Sequence, residues 1–242
     1  MINPTRLGGG MLIVYVLAAV LPAVFYMWRI YEMDKVEKEP WSLLFRLILG
    51  GVGAAFPAVL LEQLALNVIV PSLQLQSDVV YAIVCALFIG LIEEGCKFFF
   101  LYRFSWNNPE FDCRFDGVVY AVFVSLGFAA FENIIYVTQY GLSVALMRAL
   151  LAIPGHMSFA VIAGLYYGRA KIEEVRGNPR GVLNAILTGY GFAVVLHAFY
   201  DACAMIGSDV SVAVFVVFVI LMFLWVRFRL KRAAAADVSV YY

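Results

Sequence analysis

The sequence predicts an all-α integral membrane protein of about seven transmembrane helices, with its N-terminus outside and its C-terminus cytoplasmic. Three observations lead there. Of 242 residues, 64% are hydrophobic and only 14% are charged, where a soluble domain carries roughly 25% charged residues. Seven apolar runs reach about twenty residues, the length that a helix rising ~1.5 Å per residue needs to cross a hydrocarbon core ~30 Å thick. Lysine and arginine, finally, are concentrated in alternate loops. The formal charge of zero, from 17 Lys and Arg against 17 Asp and Glu, gives no basic field to attract nucleic acid. The lipid bilayer is the partner this composition implies.

The elements follow from the runs and the breaks between them. The first span covers about 11–31, too long an apolar run for the core of a cleavable signal. Glu-Lys-Glu-Pro at 37–40 breaks the chain before the second span, 42–67, and Pro71-Ser72 precedes the third, 79–102. Asn107-Asn108-Pro109 leads to the fourth, 115–138, and Gly141 to the fifth, 145–168. Gly177-Asn178-Pro179 and Gly207-Ser208-Asp209 set off the sixth, 182–206, and the seventh, 210–230. Residues 1–232 then form one polytopic domain and 233–242 a short cytoplasmic tail. Orientation follows from the cations. Arg29, Lys35, Lys38, Arg46, Arg103, Arg114, Arg169, Lys171, Arg176, Arg180 and the tail residues Arg227, Arg229, Lys231 and Arg232 fall on one side. Arg6 and Arg148 fall on the other, and Lys97 lies within a span.

Ionisable groups inside the spans point to function. Each costs ~2.5–3.5 kcal/mol at the bilayer centre on insertion scales, so each is a functional candidate by default. Glu93, Glu94 and Lys97 lie on the third span, Glu132 on the fourth, His156 on the fifth, and His197 and Asp201 on the sixth. Both histidines of the chain are among them. Lys97 is placed to reach Glu93 at i, i+4 or Glu94 at i, i+3. Because the two acids sit ~100° apart, one is expected to face the reacting centre while the other pairs with Lys97 or a neighbouring helix. Glu132 shares a face with Tyr136 and stands beside Asn133, and His197 shares a face with Asp201. Glu62, near the outer end of the second span, reads as interfacial. An ion pair that merely lowers an insertion cost explains any one of these groups, but not all of them on four helices.

Buried carboxylates with two histidines are the parts for activating water. A glutamate in a low-dielectric site can serve as general base. Two histidines with a carboxylate can hold zinc with a position open to water; without metal, a histidine can stabilise the oxyanion instead. No HExxH is present. A proton-coupled transporter and a haem protein with His156 and His197 as axial ligands are the alternatives, but no matching halves are visible for the first, and the second leaves the glutamates unexplained.

The motifs then carry a resemblance. Glu93-Glu94-Gly-Cys-Lys97 is similar to the EExxK motif of the PrsW intramembrane proteases, Phe131-Glu132-Asn133-Ile-Ile-Tyr136 to their FENxxY segment, and His197-Ala-Phe-Tyr-Asp201 to their HxxxD. Glu39-Pro40-Trp41, Phe115-Asp116-Gly117, Ser125-Leu126-Gly127-Phe128 and Arg148-Ala149-Leu150-Leu151 agree as flanking segments. The resemblance implies a multi-pass protease of the bacterial cell membrane, distantly related to the CAAX-prenyl-type proteases, that makes the first cut in a single-pass membrane protein such as an anti-sigma factor. It further implies Glu93 or Glu94 as the base, His156 and His197 as ligands of zinc or of the oxyanion, and a Glu or Asp as third metal ligand. Asp201 would orient His197, and Glu132 would be a further ligand or a support, with Lys97, Asn133 and Tyr136 supporting.

Overall fold

A computed structural model describes residues 9–241. Seven helices among these residues are long and apolar enough to cross a membrane: α1 (Gly9–Met33), α2 (Trp41–Ser72), α3 (Asp78–Ser105), α4 (Asp116–Tyr140), α5 (Leu142–Val175), α6 (Pro179–Ile206) and α7 (Asp209–Ala235). Arg6, counted above among the outward cations, lies outside the described residues. Two of the predicted breaks, around Asn178 and around Gly207-Ser208, supply caps, and Ser77 caps α3. Ser77 Oγ accepts the N–H of Val80, Asn178 Oδ1 that of Gly181, and Ser208 Oγ that of Ser211, each satisfying a donor that a helix start leaves unpaired. Gly207 ends α6 at φ 61°, a left-handed conformation that suits glycine.

Two helices run further than hydropathy indicates. α2 continues to Ser72 and α5 begins at Leu142, and each contains a π-helical segment, Ala65–Ile69 and Arg148–Ala152. Each segment ends two residues before a proline, Pro71 and Pro154. Proline has no N–H for the i−4 bond, and its ring presses on that carbonyl. A widened turn ahead of it lets the helix continue where a regular one would stop.

α4 is the central helix, with α1, α2 and α5 packed on it. α3 lies against α2 and α6, α6 against α5, and α7 covers α5 and α6 from outside. From Asp116 to Ala129 every residue of α4 is buried. Backbones come together where side chains are absent, because lipid gives helices no hydrophobic reason to associate and close packing must supply it. A Cβ on Gly51 would lie 1.9 Å from the Val124 carbonyl oxygen, and one on Gly127 would lie 2.4 Å from that of Ile48. At the start of α4, Gly117 meets Gly164 and Gly168 in the same way. α3 meets α6 at Gly90, whose Cβ would lie 3.1 Å from the Val194 oxygen. One turn further along each helix stand Glu93 and Glu94, and His197.

Beyond α7 the tail folds back. Cys113 and Ser239 form an antiparallel bridge, with Arg114 N–H donating to the Val238 oxygen at 3.0 Å and Val240 N–H to that of Asp112 at 2.7 Å.

Gly51→Ala is expected to lower unfolding stability in detergent by about 1–3 kcal/mol, the usual cost of overpacking. Gly191→Ala, whose Cβ meets nothing within 4 Å, is expected to leave it unchanged or raised. Thermal unfolding of the two variants checks this, and equal melting temperatures would refute the tight α2–α4 contact.

Candidate active site

Helices α3, α5 and α6 bring Glu93, Glu94, Lys97, His156 and His197 into one cluster, each residue no more than 6% exposed. The Lys97 ammonium lies 2.9 Å from Glu93 Oε2, 2.9 Å from Glu94 Oε1 and 3.1 Å from His156 Nδ1. It has three N–H donors and three acceptors around it. The structure differs here from the expectation that Lys97 serves one acid while the other faces elsewhere. Lys97 sits at i+4 and i+3 from the two glutamates, so its long side chain rises between them and bonds both.

The hydrogen bonds assign the imidazoles. Glu94 Oε1 lies 2.9 Å from His197 Nδ1. A carboxylate accepts, so Nδ1 carries a proton. The Nε2 of that ring lies 3.9 Å from Glu93 Oε2 and 3.4 Å from Asp201 Oδ2. The shorter bond to the ring is therefore Glu94's, although Asp201 is the residue expected to orient it. His156 Nδ1 accepts from the ammonium, so its Nε2 donates to Glu132 Oε2 at 3.1 Å. Phe159 stacks on the His197 ring with centroids 4.8 Å apart.

Glu132 is held in turn. Its Oε2 pairs with Arg148 at 2.9 Å. Arg148 Nε donates to Asn133 Oδ1, its guanidinium lies 3.9 Å from the Tyr136 ring centroid, and Asn133 Nδ2 donates to the Ala19 oxygen at 3.4 Å. Asn133 and Tyr136 thus contact Arg148, which pairs with Glu132. Neither Arg148 nor Glu62 stands out as a site residue in the sequence. Arg148 reads as an outward cation and Glu62 as interfacial, yet both line a cavity of about 180 Å³ together with Glu93, Glu132, His156, His197 and Asp201. The available signals were a lone arginine on a cation-poor side and a carboxylate in an apolar run. The π-helical segment that starts at Arg148 is a feature often found at functional sites.

The donors fit a metal. One ligand atom each from Glu93, Glu94, His156 and His197 lie within 4.8 Å of one another, and two imidazoles with carboxylate oxygen form a catalytic zinc set. The ammonium held among Glu93, Glu94 and His156 shows that these acceptors already converge on a positive charge. Both carboxylates of the four are glutamates, and Asp201 stands outside the group. The two histidine rings, 5.3 Å apart and perpendicular, leave no space for a haem between them.

A bundle of seven membrane-crossing helices around a buried Glu–His–Lys centre that opens on a small polar cavity has the architecture of a membrane-embedded hydrolase. The chain matches the family model of the PrsW family intramembrane metalloproteases over residues 39–226. It is 33% identical to the protease PrsW of Halalkalibacterium halodurans over 90% of this chain and 95% of that one. It is 39% identical to the protease PrsW of Geobacillus kaustophilus over 64% of this chain and 65% of that one. With the protease PrsW of Bacillus subtilis the identity is 28% over 90% of this chain and 94% of that one. The chain belongs to the PrsW family of intramembrane metalloproteases, and so is a peptidase and a multi-pass bacterial membrane protein. No solved structure matches it.

Lys97→Met is expected to destabilise the protein by about 3–5 kcal/mol, because it leaves buried carboxylates without their counter-charge. Adding Glu93→Gln and Glu94→Gln to it should recover most of that loss. Denaturant unfolding of the single and triple variants in detergent measures both, and a triple variant no more stable than Lys97→Met would count against the shared ammonium.

Proposed function

We propose that this protein is an endopeptidase that cuts a single-pass membrane protein inside the bilayer, such as an anti-sigma factor, as the first step of regulated proteolysis. The observation that carries the reading is the convergence of both histidines with Glu93 and Glu94, ligand atoms within 4.8 Å, beside a polar cavity. The substrate class rests on the family resemblance. The distribution of cations supports a cytoplasmic tail and an outward N-terminus. In that orientation α6 runs outward, and His197 lies about 14 Å before its end at Ile206 at ~1.5 Å per residue. That depth favours a cut in the outer half of the membrane.

The division of labour follows from what each group faces. Glu93 lines the cavity and Glu94 does not. Glu94 is engaged with His197 Nδ1 and Lys97, so it positions the imidazole, and Glu93 is the base. Glu93 takes a proton from a water as the water oxygen bonds to the scissile carbonyl carbon and the carbonyl electrons move to oxygen. Arg148 is the positive charge that the cavity wall presents to that oxyanion. When the oxyanion collapses, the C–N bond breaks and Glu93 returns the proton to the departing amine. His156, His197 and a glutamate would hold a zinc ion, which when bound lowers the pKa of a coordinated water to about 7.

In a cleavage assay with a reporter carrying one membrane helix, Glu93→Gln is expected to lose ~10²–10⁴-fold in rate, the usual share of a general base. Glu94→Gln should lose less, since an amide oxygen still accepts from His197. Full activity in Glu93→Gln would overturn the assignment. Elemental analysis is expected to find about one zinc per chain, as a single catalytic site requires, and none in a His156→Ala/His197→Ala double variant. Metal retained undiminished in the double variant would move the metal site elsewhere.

A further inference from the structure

A second polar cluster lies at the opposite end of α4, about 24 Å from Glu132 at ~1.5 Å per residue. Asp34 follows α1, Glu39 precedes α2, Asp116 opens α4, and Asp237 belongs to the returning tail. One carboxylate oxygen each of Asp34, Asp116 and Asp237 lie within 4.8 Å of one another. Asp34 is 1% exposed and Glu39 5%. Neither oxygen of Asp34 has a hydrogen-bond partner among the described residues, nor does Glu39 Oε2 or Asp237 Oδ2. Lys38, the cation beside them in the first loop, directs its ammonium to the Tyr31 carbonyl and ring.

These acids are oriented as ligands are. Asp116 Oδ2 accepts from the amides of Cys113 at 2.6 Å and Asp112 at 3.2 Å. Asp237 Oδ1 accepts from those of Phe115 at 2.8 Å and Val238 at 2.9 Å, and its Oδ2 stays unpaired. Backbone donors that fix one side of a carboxylate and leave the other bare are the usual outer support of a cation ligand. Oxygens up to 4.8 Å apart fall within the span of an ion with bonds of about 2.3–2.6 Å, the calcium range, while magnesium would need them drawn closer.

We propose that Asp34, Asp116 and Asp237, with Glu39 beside them, bind a hard divalent cation of the calcium or magnesium kind that fastens the C-terminal tail to the first loop and to the start of α4. Burial and neighbouring carboxylates push Asp34 up to about 6 and Glu39 to about 8, the condition of acids that lack a counter-charge. A bound cation supplies that charge. The donor set is all oxygen, unlike the histidine-bearing centre, so the two sites select different ions.

The test uses the full chain, purified in detergent and stripped with chelator. Calcium and magnesium are titrated separately at constant ionic strength, with melting temperature and equilibrium dialysis as readouts. The expected result is a saturable rise in melting temperature and one ion bound per chain. Asp34→Asn and Asp237→Asn should each weaken binding at least tenfold, and the His156→Ala/His197→Ala variant should bind as the parent does. The cation should also protect the tail from carboxypeptidase. Absence of saturable binding in the parent chain would overturn the proposal, and so would undiminished binding in both Asn variants. If the carboxyls are simply protonated, the Asn variants melt higher than the parent with or without cation.

Discussion

The polar centre depends on one ammonium. Lys97 is buried among membrane helices, and a lone charge there costs ~2.5–3.5 kcal/mol on insertion scales. It offsets that cost by using all three N–H groups at once, two on its own helix and one on α5. That third bond ties α3 to α5 at a fixed depth. Glu94 extends the tie to α6 through His197, and His156 extends it to α4 through Glu132. Each member has a partner that is itself held, so the rings are fixed in place. A centre of this kind is costly when half-paired and rigid when complete, which is the property a base and two imidazoles need if they are to meet a peptide bond.

Such convergence requires helices closer than ordinary side chains allow. Glycines on α2, α4 and α5 let backbones touch carbonyl oxygens directly, and Gly90 does the same between α3 and α6. α4 is enclosed on nearly every side over its first half, so it acts as the post against which the others register. Its two ends carry different chemistry. Glu132 and Asn133 join the histidine centre, while Asp116 joins the acidic cluster under the tail.

Much of this was legible in the sequence. Seven apolar runs mark the seven helices, and the Ser, Asn and Gly punctuation marks their caps. The charged residues inside the runs name most of the centre, since hydrocarbon penalises an ionisable group that has no purpose. What periodicity along one helix cannot convey is contact between helices. Arg148 falls near the start of the predicted fifth span and counted only as an outward cation, whereas the fold places its guanidinium on Glu132. Glu62 looked interfacial because only the fold reveals that its end of α2 borders the cavity. The extension of α2 and α5 through π turns was hidden for a similar reason, as a proline ordinarily reads as a stop or a kink. Asp34 and Glu39 lie between the first two apolar runs, and no local pattern announces the returning tail that brings Asp237 to Asp34 and Asp116.

The paired glutamates show how helix geometry divides chemically identical residues. Glu93 and Glu94 leave α3 about 100° apart, so one borders the cavity and the other faces Ala193 and Tyr190 of α6. Lys97 binds an oxygen of each, which leaves their second neighbours to distinguish them. Glu94 has His197 Nδ1 and so fixes a ring. Glu93 has the cavity. If Glu93 is the base, as proposed, a single glutamate at 93 would supply a base beside an unsteadied histidine, and one at 94 a steadied histidine without a base. In the proposed mechanism, the doubled residue with a lysine one turn on supplies base, positioning carboxylate and counter-charge from one stretch of helix.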